Sequence, residues 1–392
     1  MHAPYEAKGS SESIAERYEF GATPVRNEAI AQLGERLAGS QKVTGSSPVG
    51  SMREPTCRRR RRTREPRFAL LLFLIGATFL SACGESEREA GGRCPGEQER
   101  VEPAGARLVT LFHETHTHGN LTTFAEYVGQ LSALRACLPD PDNSLFLGNG
   151  DDISPRLGGV STDGRHTVDA FNAAGLAANT FGFSEVLFGE HYDSFGEGLD
   201  LLRDLVAESD FAWVSANVRD RRNPEQPFAF EEGARRFVVV DVGGTRVGIT
   251  GLLSRPIGAP PPPAGIRAEL RVLDPVRVMR EVVPEMRAAG AEVVVVLSHL
   301  HEEETLRVVR SVDGIDAALG THGGDATERP RVVNGAIIAV AGPMDLWALG
   351  ELSLVVRDGE VVDFEFRRHL PAGDAYVDRD VQAVIDEYIR RG

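Results

Sequence analysis

The chain has 392 residues, of which 42% are hydrophobic, and a formal net charge of −15, so it can hold one large domain or two small ones. Such an acidic balance argues against non-specific nucleic-acid binding, which needs a basic surface, and no nucleic-acid partner is expected. An anionic substrate would have to be held by metal ions or local arginines. The only two lysines, Lys8 and Lys42, precede residue 52, which sets that first segment apart in composition.

Residues 52–82 have the pattern of a bacterial export signal: a basic region, an apolar stretch of roughly 12 residues, and small residues before Cys83. The sequence Leu80-Ser81-Ala82-Cys83 resembles a lipoprotein signal, which implies cleavage before Cys83 and lipidation of that residue. The apolar stretch is shorter than the about 20 residues of a membrane-spanning helix. A signal cut elsewhere and a short retained anchor are the alternatives.

This pattern divides the N-terminal part into three segments. Residues 1–51 are interpreted as a mis-assigned or disordered extension, residues 52–82 as the signal peptide, and residues 83–106 as a polar tether. We expect an exported lipoprotein on the periplasmic side of the envelope, held at the membrane by its lipid anchor only. The outer membrane is favoured, because Gly84 gives no obvious inner-membrane retention signal.

Two further cysteines, Cys94 and Cys137, lie outside the signal. In an exported protein they could form a disulfide. The alternative is two unrelated thiols, because the sequence alone does not show whether their Cα atoms come close enough.

From residue 107 to 392 the hydrophobic pattern alternates between strands and helices. Strands are predicted at residues 108–112, 144–147, 211–218, 236–242, 246–252, 292–297, 336–340, 350–356 and 361–366. Helices are predicted at residues 122–138, 167–174, 198–208, 275–289, 302–312 and 381–391. This alternation, with a hairpin-rich end, predicts an α/β fold with mixed sheets.

Four predicted strands end in side chains that can bind a metal ion. The first is followed by His116 and His118, the second by Asp151, and two later ones by His299 and His322. Open α/β sheets tend to place their sites at such strand ends, and imidazole with carboxylate suits Zn²⁺, Mn²⁺ or Fe²⁺. One such end could be an ordinary polar loop, but four in one domain favour a metal centre.

The order and spacing of these segments resemble the metallophosphatase domain of the bacterial 5′-nucleotidase family, within the calcineurin-like phosphoesterases. That family carries the motifs D-x-H-G, G-D, G-N-H-E, S-H and G-H-x-H in this order. The resemblance covers residues 107–392 and implies a four-layer α/β/β/α sandwich with two mixed sheets. The chain ends where the first domain of these nucleotidases ends, so no C-terminal nucleotide-binding domain is expected.

The resemblance implies two-metal hydrolysis of phosphoesters. One ion would be held by His116, His118 and Asp151, and the other by Asp151, His299 and His322. The expected cofactor is a divalent metal, Zn²⁺ or Mn²⁺, as one or two ions. The expected partner is a small phosphoester, and neither the substrate nor the oligomeric state is predicted.

Several positions depart from the family motifs and imply a weakened site. His116 replaces an Asp, Phe183 replaces the Asn ligand, and Gly324 replaces the second His of G-H-x-H. Ser184 and Leu187 occupy the positions of the catalytic His and its supporting Asp, so no catalytic residue is predicted. Four nearby polar residues could fill these vacated positions, but each is expected to be a solvated loop residue: Asp152, Asp325, Glu114 and His301. His191 and His369 are expected at the surface.

Three functions follow from these observations. The first is a divergent metal-dependent phosphoesterase, a hydrolase resembling 5′-nucleotidases, with weak or altered catalysis. The second is a lipid-anchored metal-binding pseudoenzyme or ligand-binding protein without turnover. The third is a structural envelope lipoprotein, which the five ligand-type residues argue against. We favour the first, although the missing His–Asp pair leaves enzymatic activity uncertain.

Overall fold

The computed structural model describes residues 105–391 apart from 115, 158–159, 256–263, 324–325 and 343–345. The predicted signal peptide, the tether up to residue 104, Cys83 and Cys94 therefore lie outside the described residues. Among the residues described, none of the helices combines the length and apolar character needed to cross a membrane. Cys137 is disulfide-bonded, and its pairing with Cys94 stays a prediction.

Two six-stranded mixed sheets form the centre of the domain. The strands are numbered in chain order: β1 (Arg107–His113), β2 (Ser144–Leu147), β3 (Arg156–Leu157), β4 (Val160–Ser161), β5 (Ala178–Thr180), β6 (Ala212–Val214), β7 (Val218–Asp220), β8 (Phe237–Val242), β9 (Thr245–Leu253), β10 (Leu270–Val272), β11 (Val293–His299), β12 (Ala317–Leu319), β13 (Arg331–Val333), β14 (Ala336–Ala339), β15 (Leu349–Arg357) and β16 (Glu360–His369).

The helices are numbered in the same way: α1 (Phe124–Arg135), α2 (Arg165–Ala174), α3 (Phe183–Val186), α4 (Phe195–Glu208), α5 (Ala264–Glu269), α6 (Pro275–Ala288), α7 (Glu302–Ser311) and α8 (Arg379–Arg391). Each of the long helices α4, α6 and α7 has one apolar side buried against a sheet.

The first sheet has the order β16-β15-β1-β2-β5-β6, and β1, β2, β5 and β6 run parallel. The second has the order β13-β14-β12-β11-β9-β8, with β9, β11, β12 and β14 parallel. Parallel strands present their carboxyl ends at one edge of a sheet. The residues that follow β1 and β2, and those that follow β11 and β12, are therefore collected at such edges.

Three groups of buried apolar side chains separate the layers. One group, which includes Val109, Leu111 and Leu297, joins residues of both sheets and lies between them. A second packs α1, α2 and α4 on the first sheet, and a third packs α6 and α7 on the second. This is the predicted α/β/β/α arrangement, and the fold prediction is confirmed.

The strand predicted at residues 211–218 is broken into β6 and β7. Between them the Asn217 side chain bonds to β9 of the other sheet: its Nδ2 donates to the carbonyl of Leu253 at 2.7 Å, and its Oδ1 accepts from the Leu253 N–H at 2.9 Å. These bonds satisfy the polar side chain in a buried position. At this point the chain passes from the first sheet to the short β7–β10 pair.

His113, the last residue of β1, is fully buried and lies over Gly350 of the neighbouring β15. Its ring stacks on Phe366 at a centroid distance of 6.2 Å. Burial lowers the pKa of His113 to about 4, against a smaller opposing contribution from the backbone of Glu114. The folded protein therefore keeps this imidazole neutral where an unfolded chain would take up a proton.

Protonation of His113 is expected to destabilise the fold at acid pH. With a pKa near 6.5 in the unfolded chain and about 4 in the folded one, the unfolded state binds more protons, and stability falls as the pH drops from about 6.5 to about 4. Between pH 7.5 and 4.5 this contributes a loss of about 2.5 kcal/mol. In urea unfolding, the His113→Leu protein should lose correspondingly less stability over the same pH range. The exposed His191→Gln serves as control, and equal pH slopes for all three proteins would contradict the assignment.

Candidate metal centre

The four predicted histidine ligands surround one carboxylate, that of the fifth predicted ligand, Asp151. Asp151 Oδ2 lies 3.2 Å from His299 Nε2, 3.6 Å from His322 Nε2 and 3.8 Å from His118 Nε2. The His116 ring adds a fourth imidazole, with its centroid 4.8 Å from that of His299. Two groups result, His116–His118–Asp151 and Asp151–His299–His322, with ligand atoms within 4.8 Å of one another in each. The structure thus brings the five residues together, and their role as metal ligands stays a prediction.

The spacing of these atoms fits a divalent metal ion. Ligands bound to one tetrahedral ion at about 2.0–2.1 Å are about 3.3–3.4 Å apart, close to the distances from Asp151 Oδ2. The tautomer of His299 adds a stronger argument. Its Nδ1 lies 2.8 Å from the Asn149 carbonyl oxygen, which can only accept, so Nδ1 carries a hydrogen. In the neutral ring Nε2 then directs a lone pair at a carboxylate oxygen, and a cation or a proton has to lie between them.

The charge states of these residues also suit metal binding. Burial lowers the pKa of His116 well below its usual value, and burial together with His299 lowers that of His322 to about 4. Burial opposes ionisation of Asp151, but His299 and His118 still hold its pKa well below the usual range. Neutral imidazoles around an ionised carboxylate are the forms that bind metal. His299 is the exception: burial lowers its pKa, but Asp151 and the Asn149 carbonyl raise it by more, so this ring has to release a proton when a metal binds.

Strained backbone positions hold three of the ligands. His116, His118 and Asp151 have φ values of +29°, +47° and +59°, a region that costs L-residues free energy. The His118 N–H donates to the Asp151 carbonyl at 2.9 Å, which ties the two loops together. Gly150 is required beside them, because a Cβ there would lie 2.6 Å from the backbone nitrogen of Gly182.

Glu185 supports this centre, and the sequence analysis missed it. It is fully buried at the start of α3. Its Oε2 accepts from the N–H groups of Asp151 and Gly182 at 2.9 and 2.7 Å, and its Oε1 accepts from those of Asp152 and Ile153 at 2.8 Å each. Burial and then Asp151 raise the pKa of Glu185, whereas these donors lower it. The sequence does contain a signal for this role: Glu185 follows Gly182 by three residues, which is the spacing of a glutamate that caps the start of a helix.

The chain is similar in sequence to curated proteins that are named as nucleotidases or nucleotide phosphodiesterases. The chain is 26% identical over 243 residues to the 2′,3′-cyclic-nucleotide 2′-phosphodiesterase/3′-nucleotidase of Salmonella typhimurium, covering 54% of this chain and 36% of that protein. It is 25% identical over 195 residues to a probable 5′-nucleotidase of Treponema pallidum, covering 49% and 30%. The chain thus spans about a third of the length of these curated relatives. No family profile matches it.

Solved structures show the same fold. The 5′-nucleotidase precursor of Thermus thermophilus has a TM-score of 0.58 at 24% identity, covering 73% of this chain and 59% of that one. The calcineurin-like phosphoesterase YfkN of Bacillus subtilis gives a TM-score of 0.54 at 18% identity, covering 73% and 98%. The chain has the calcineurin-like phosphoesterase fold. The resemblance stated from the sequence motifs is confirmed, whereas the divergence of the site stays a prediction.

Within this calcineurin-like fold, Phe183, Ser184 and Leu187 stand at three of the departing positions and offer the centre no metal-binding side chain. The Phe183 ring packs edge-on against His322 and His299, with centroids 4.8 and 5.6 Å away. The Ser184 N–H donates to Asp151 Oδ1 at 2.6 Å, while its hydroxyl is buried without a partner in the described chain. Leu187 packs against the core. Asp151 Oδ1 is thereby held, and Oδ2 faces the imidazoles.

Two of the polar residues near the centre, Glu114 and Asp152, differ from the expectation in their burial. Glu114 and Asp152 are fully buried, so the expectation that they are solvated loop residues is wrong. Glu114 accepts from the Asn149 N–H at 2.6 Å, and Asp152 accepts from the Thr117 N–H at 2.9 Å. Both carboxylates thus order the ligand loops, and burial followed by Glu185 raises the pKa of Asp152 to about 7.

The structure also shows where the three remaining histidines of the sequence analysis lie. His301 is exposed, with its ring 5.1 Å from that of His322, and His191 is exposed as expected. The surface prediction for His369 is wrong, because its Nε2 lies 2.7 Å from the buried carboxylate of Glu351 and its side chain is only 12% exposed. Asp325 lies outside the described residues.

Proposed function

We propose that the chain is a metal-dependent phosphoesterase acting on small phosphoesters such as nucleotides. The observation that carries this proposal is the convergence of three imidazole nitrogens within 3.8 Å of one carboxylate oxygen, Asp151 Oδ2. The names of the relatives support it, since they are nucleotidases and nucleotide phosphodiesterases. The proposed ligands are His116, His118, Asp151, His299 and His322.

The donor set favours Zn²⁺ or Mn²⁺ over Mg²⁺, because imidazole nitrogen outnumbers carboxylate oxygen. We propose one or two ions, one at each of the two ligand groups. When bound, such an ion supplies positive charge that polarises a phosphate oxygen and lowers the pKa of a bound water.

The chain's own residues prepare this site for an anionic substrate. The Ser184 N–H fixes the orientation of the Asp151 carboxylate, and the Asn149 carbonyl fixes the tautomer of His299. The Phe183 ring packs at steep angles against His299 and His322 and gives that side of both imidazoles an apolar neighbour. The His118 and His322 side chains are 38% and 23% exposed, so we place the approach of the phosphate on their side.

Catalysis is proposed to be weak. Ser184 and Leu187 offer no imidazole–carboxylate pair to orient the phosphate or the leaving group. This observation favours the second candidate, a metal-binding protein without turnover, which differs from the first only in its rate. We also propose, from Cys83 and the residues before it, that the protein is a lipid-anchored protein of the bacterial envelope.

Metal content is the first test of the proposed function. The full chain, reconstituted with Zn²⁺ or Mn²⁺, is expected to hold near-stoichiometric metal after dialysis, whereas His116→Ala and His299→Ala should lose affinity by more than about 10-fold, since even supporting residues of metal sites cost 10–100-fold. The exposed His191→Ala is the matched control. The same samples are assayed with 4-nitrophenyl phosphate and bis(4-nitrophenyl) phosphate.

The outcomes separate the candidates. Metal lost in both variants, together with metal-dependent turnover, supports the phosphoesterase. Metal without turnover supports the binding protein. No bound metal in the unsubstituted chain after supplementation with either ion would overturn the centre and leave only the fold.

A further inference from the structure

In the described part of the chain, the outer edge of β16 pairs with no other strand. β16 stands at one end of the first sheet and bonds there only to β15. It is ten residues long, which is longer than most strands. Such an edge presents a row of backbone N–H and C=O groups that can pair with a strand of another chain.

A bulge limits the regular part of this edge. β16 keeps a continuous register with β15 from Asp363 to His369, and it has one extra residue, Val362, just before this stretch. Such a bulge bends a strand and ends its regular pairing. The regular stretch is therefore centred on Phe366, with three residues on either side.

The side chains of this regular stretch are ordered so that the stretch complements itself. Its sequence is DFEFRRH, with acidic residues before Phe366 and basic residues after it. Two copies that pair antiparallel with Phe366 at the centre bring the acidic half of each opposite the basic half of the other. Opposite charges and aromatic side chains in directly opposed positions stabilise a pair of strands. The opposed pairs are then Phe366–Phe366, Glu365–Arg367, Phe364–Arg368 and Asp363–His369.

Neighbouring registers lack this complementarity. Directly opposed residues lie on the same face of a sheet, so the next registers that keep both faces aligned are centred on Glu365 or on Arg367. Each of these would place two like charges opposite each other at the centre, which is destabilising. The order of charges therefore selects the register centred on Phe366.

Two phenylalanine side chains on this strand keep part of their surface exposed. Phe364 and Phe366 pack against the apolar layer between the two sheets but are only half-buried. The charged residues beside them are accessible as well, with the Glu365 side chain 50% and the Arg367 side chain 21% exposed. A second strand at this edge would extend the apolar layer and cover more of both rings, and burial of apolar surface favours association.

We propose that β16 is an interaction surface for a second copy of this chain. The two β16 strands pair antiparallel about a twofold axis at Phe366 and join the two first sheets into one continuous sheet. A twofold interface uses the same surface on both copies, so it requires a self-complementary strand. Charges on an edge strand ordinarily hinder such pairing, whereas here each acidic residue meets a basic one. The dimer depends neither on the metal centre nor on catalysis.

Charge reversal at Glu365 tests this interface. Sedimentation equilibrium of the full chain should show a reversible monomer–dimer equilibrium. Glu365→Arg is expected to raise the dissociation constant by at least about 10-fold, because two attractive pairs with Arg367 become two repulsive ones. The control is Glu303→Arg, at an exposed position on α7, which should associate as the unsubstituted chain does. A monomeric unsubstituted chain, or equal association of all three proteins, would overturn the proposal.

A mixing experiment tests the register. Arg367→Glu should also weaken self-association, because Glu365 then faces a second glutamate. An equal mixture of Glu365→Arg and Arg367→Glu restores both opposed charge pairs, so a heterodimer with about the affinity of the unsubstituted dimer is expected. Circular dichroism first checks that both variants are folded, since Arg367 lies opposite the buried Glu351 of β15. A mixture of folded variants that does not associate would overturn the pairing of Glu365 with Arg367.

Discussion

Replacing Glu185 with glutamine is expected to lower the free energy of unfolding by about 3–5 kcal/mol. Four backbone N–H groups donate to the two oxygens of this buried carboxylate. An amide turns one oxygen into an NH₂ group, so two of these donors face a donor instead of an acceptor. Each buried donor without an acceptor costs about 1–3 kcal/mol, and the loss of the charge weakens the remaining bonds.

Urea unfolding followed by circular dichroism measures this loss, with Glu190→Gln as control, because Glu190 is exposed a few residues further along the chain. Metal affinity should fall as well, since the same N–H groups fix the backbone of Asp151. A Glu185→Gln protein as stable as the control would show that the carboxylate does not stabilise the backbone segments whose N–H groups it accepts from.

Replacing Asp151 with asparagine is expected to have the largest effect on metal binding. This carboxylate belongs to both ligand groups and brings the only negative charge among the five proposed ligands. Asparagine keeps the shape and the oxygen that accepts from the Ser184 N–H. The affinity for Zn²⁺ should nevertheless fall by more than about 100-fold, beyond the range caused by supporting residues.

Competition with a chromophoric chelator measures the Zn²⁺ affinity of Asp151→Asn. The control is Asp204→Asn on the exposed side of α4, which should bind as the unsubstituted chain does. Loss of metal in a variant that keeps its unfolding midpoint assigns the effect to the ligand. Retention of full affinity would exclude Asp151 as the shared ligand and require a different set of donors.

The sequence predicted the ligands because each one follows an apolar run. Residues 293–297 are continuous valine and leucine, which predicts a buried strand, and His299 is the last residue of that strand. His322 follows β12, whose three small apolar residues give no strong pattern of their own. The sequence still indicates His322 as a metal-capable side chain at a strand end.

What the sequence did not predict depends on contacts between distant segments. Glu185 contacts a loop more than 30 residues earlier, and only the folded backbone shows that four N–H groups point at it. The burial of Glu114 and Asp152 is of the same kind, because a charged residue after a strand is more often solvated. The break at Asn217 likewise goes with bonds to Leu253 of the other sheet, which no local sequence pattern records.

The left-handed backbone at His116, His118 and Asp151 makes these three positions costly for any residue other than glycine. Each L-residue in this region costs roughly 1–2 kcal/mol relative to a right-handed conformation, and glycine would remove most of that cost. Mutation drifts towards residues that a fold tolerates unless function selects against them. A chain whose centre had lost all purpose would have gained stability by exchanging these ligands for glycine, as the neighbouring Gly119 and Gly150 positions already show. Three side chains that can bind metal thus stand where glycine would be accommodated more easily, as expected if the proposed centre holds a metal ion.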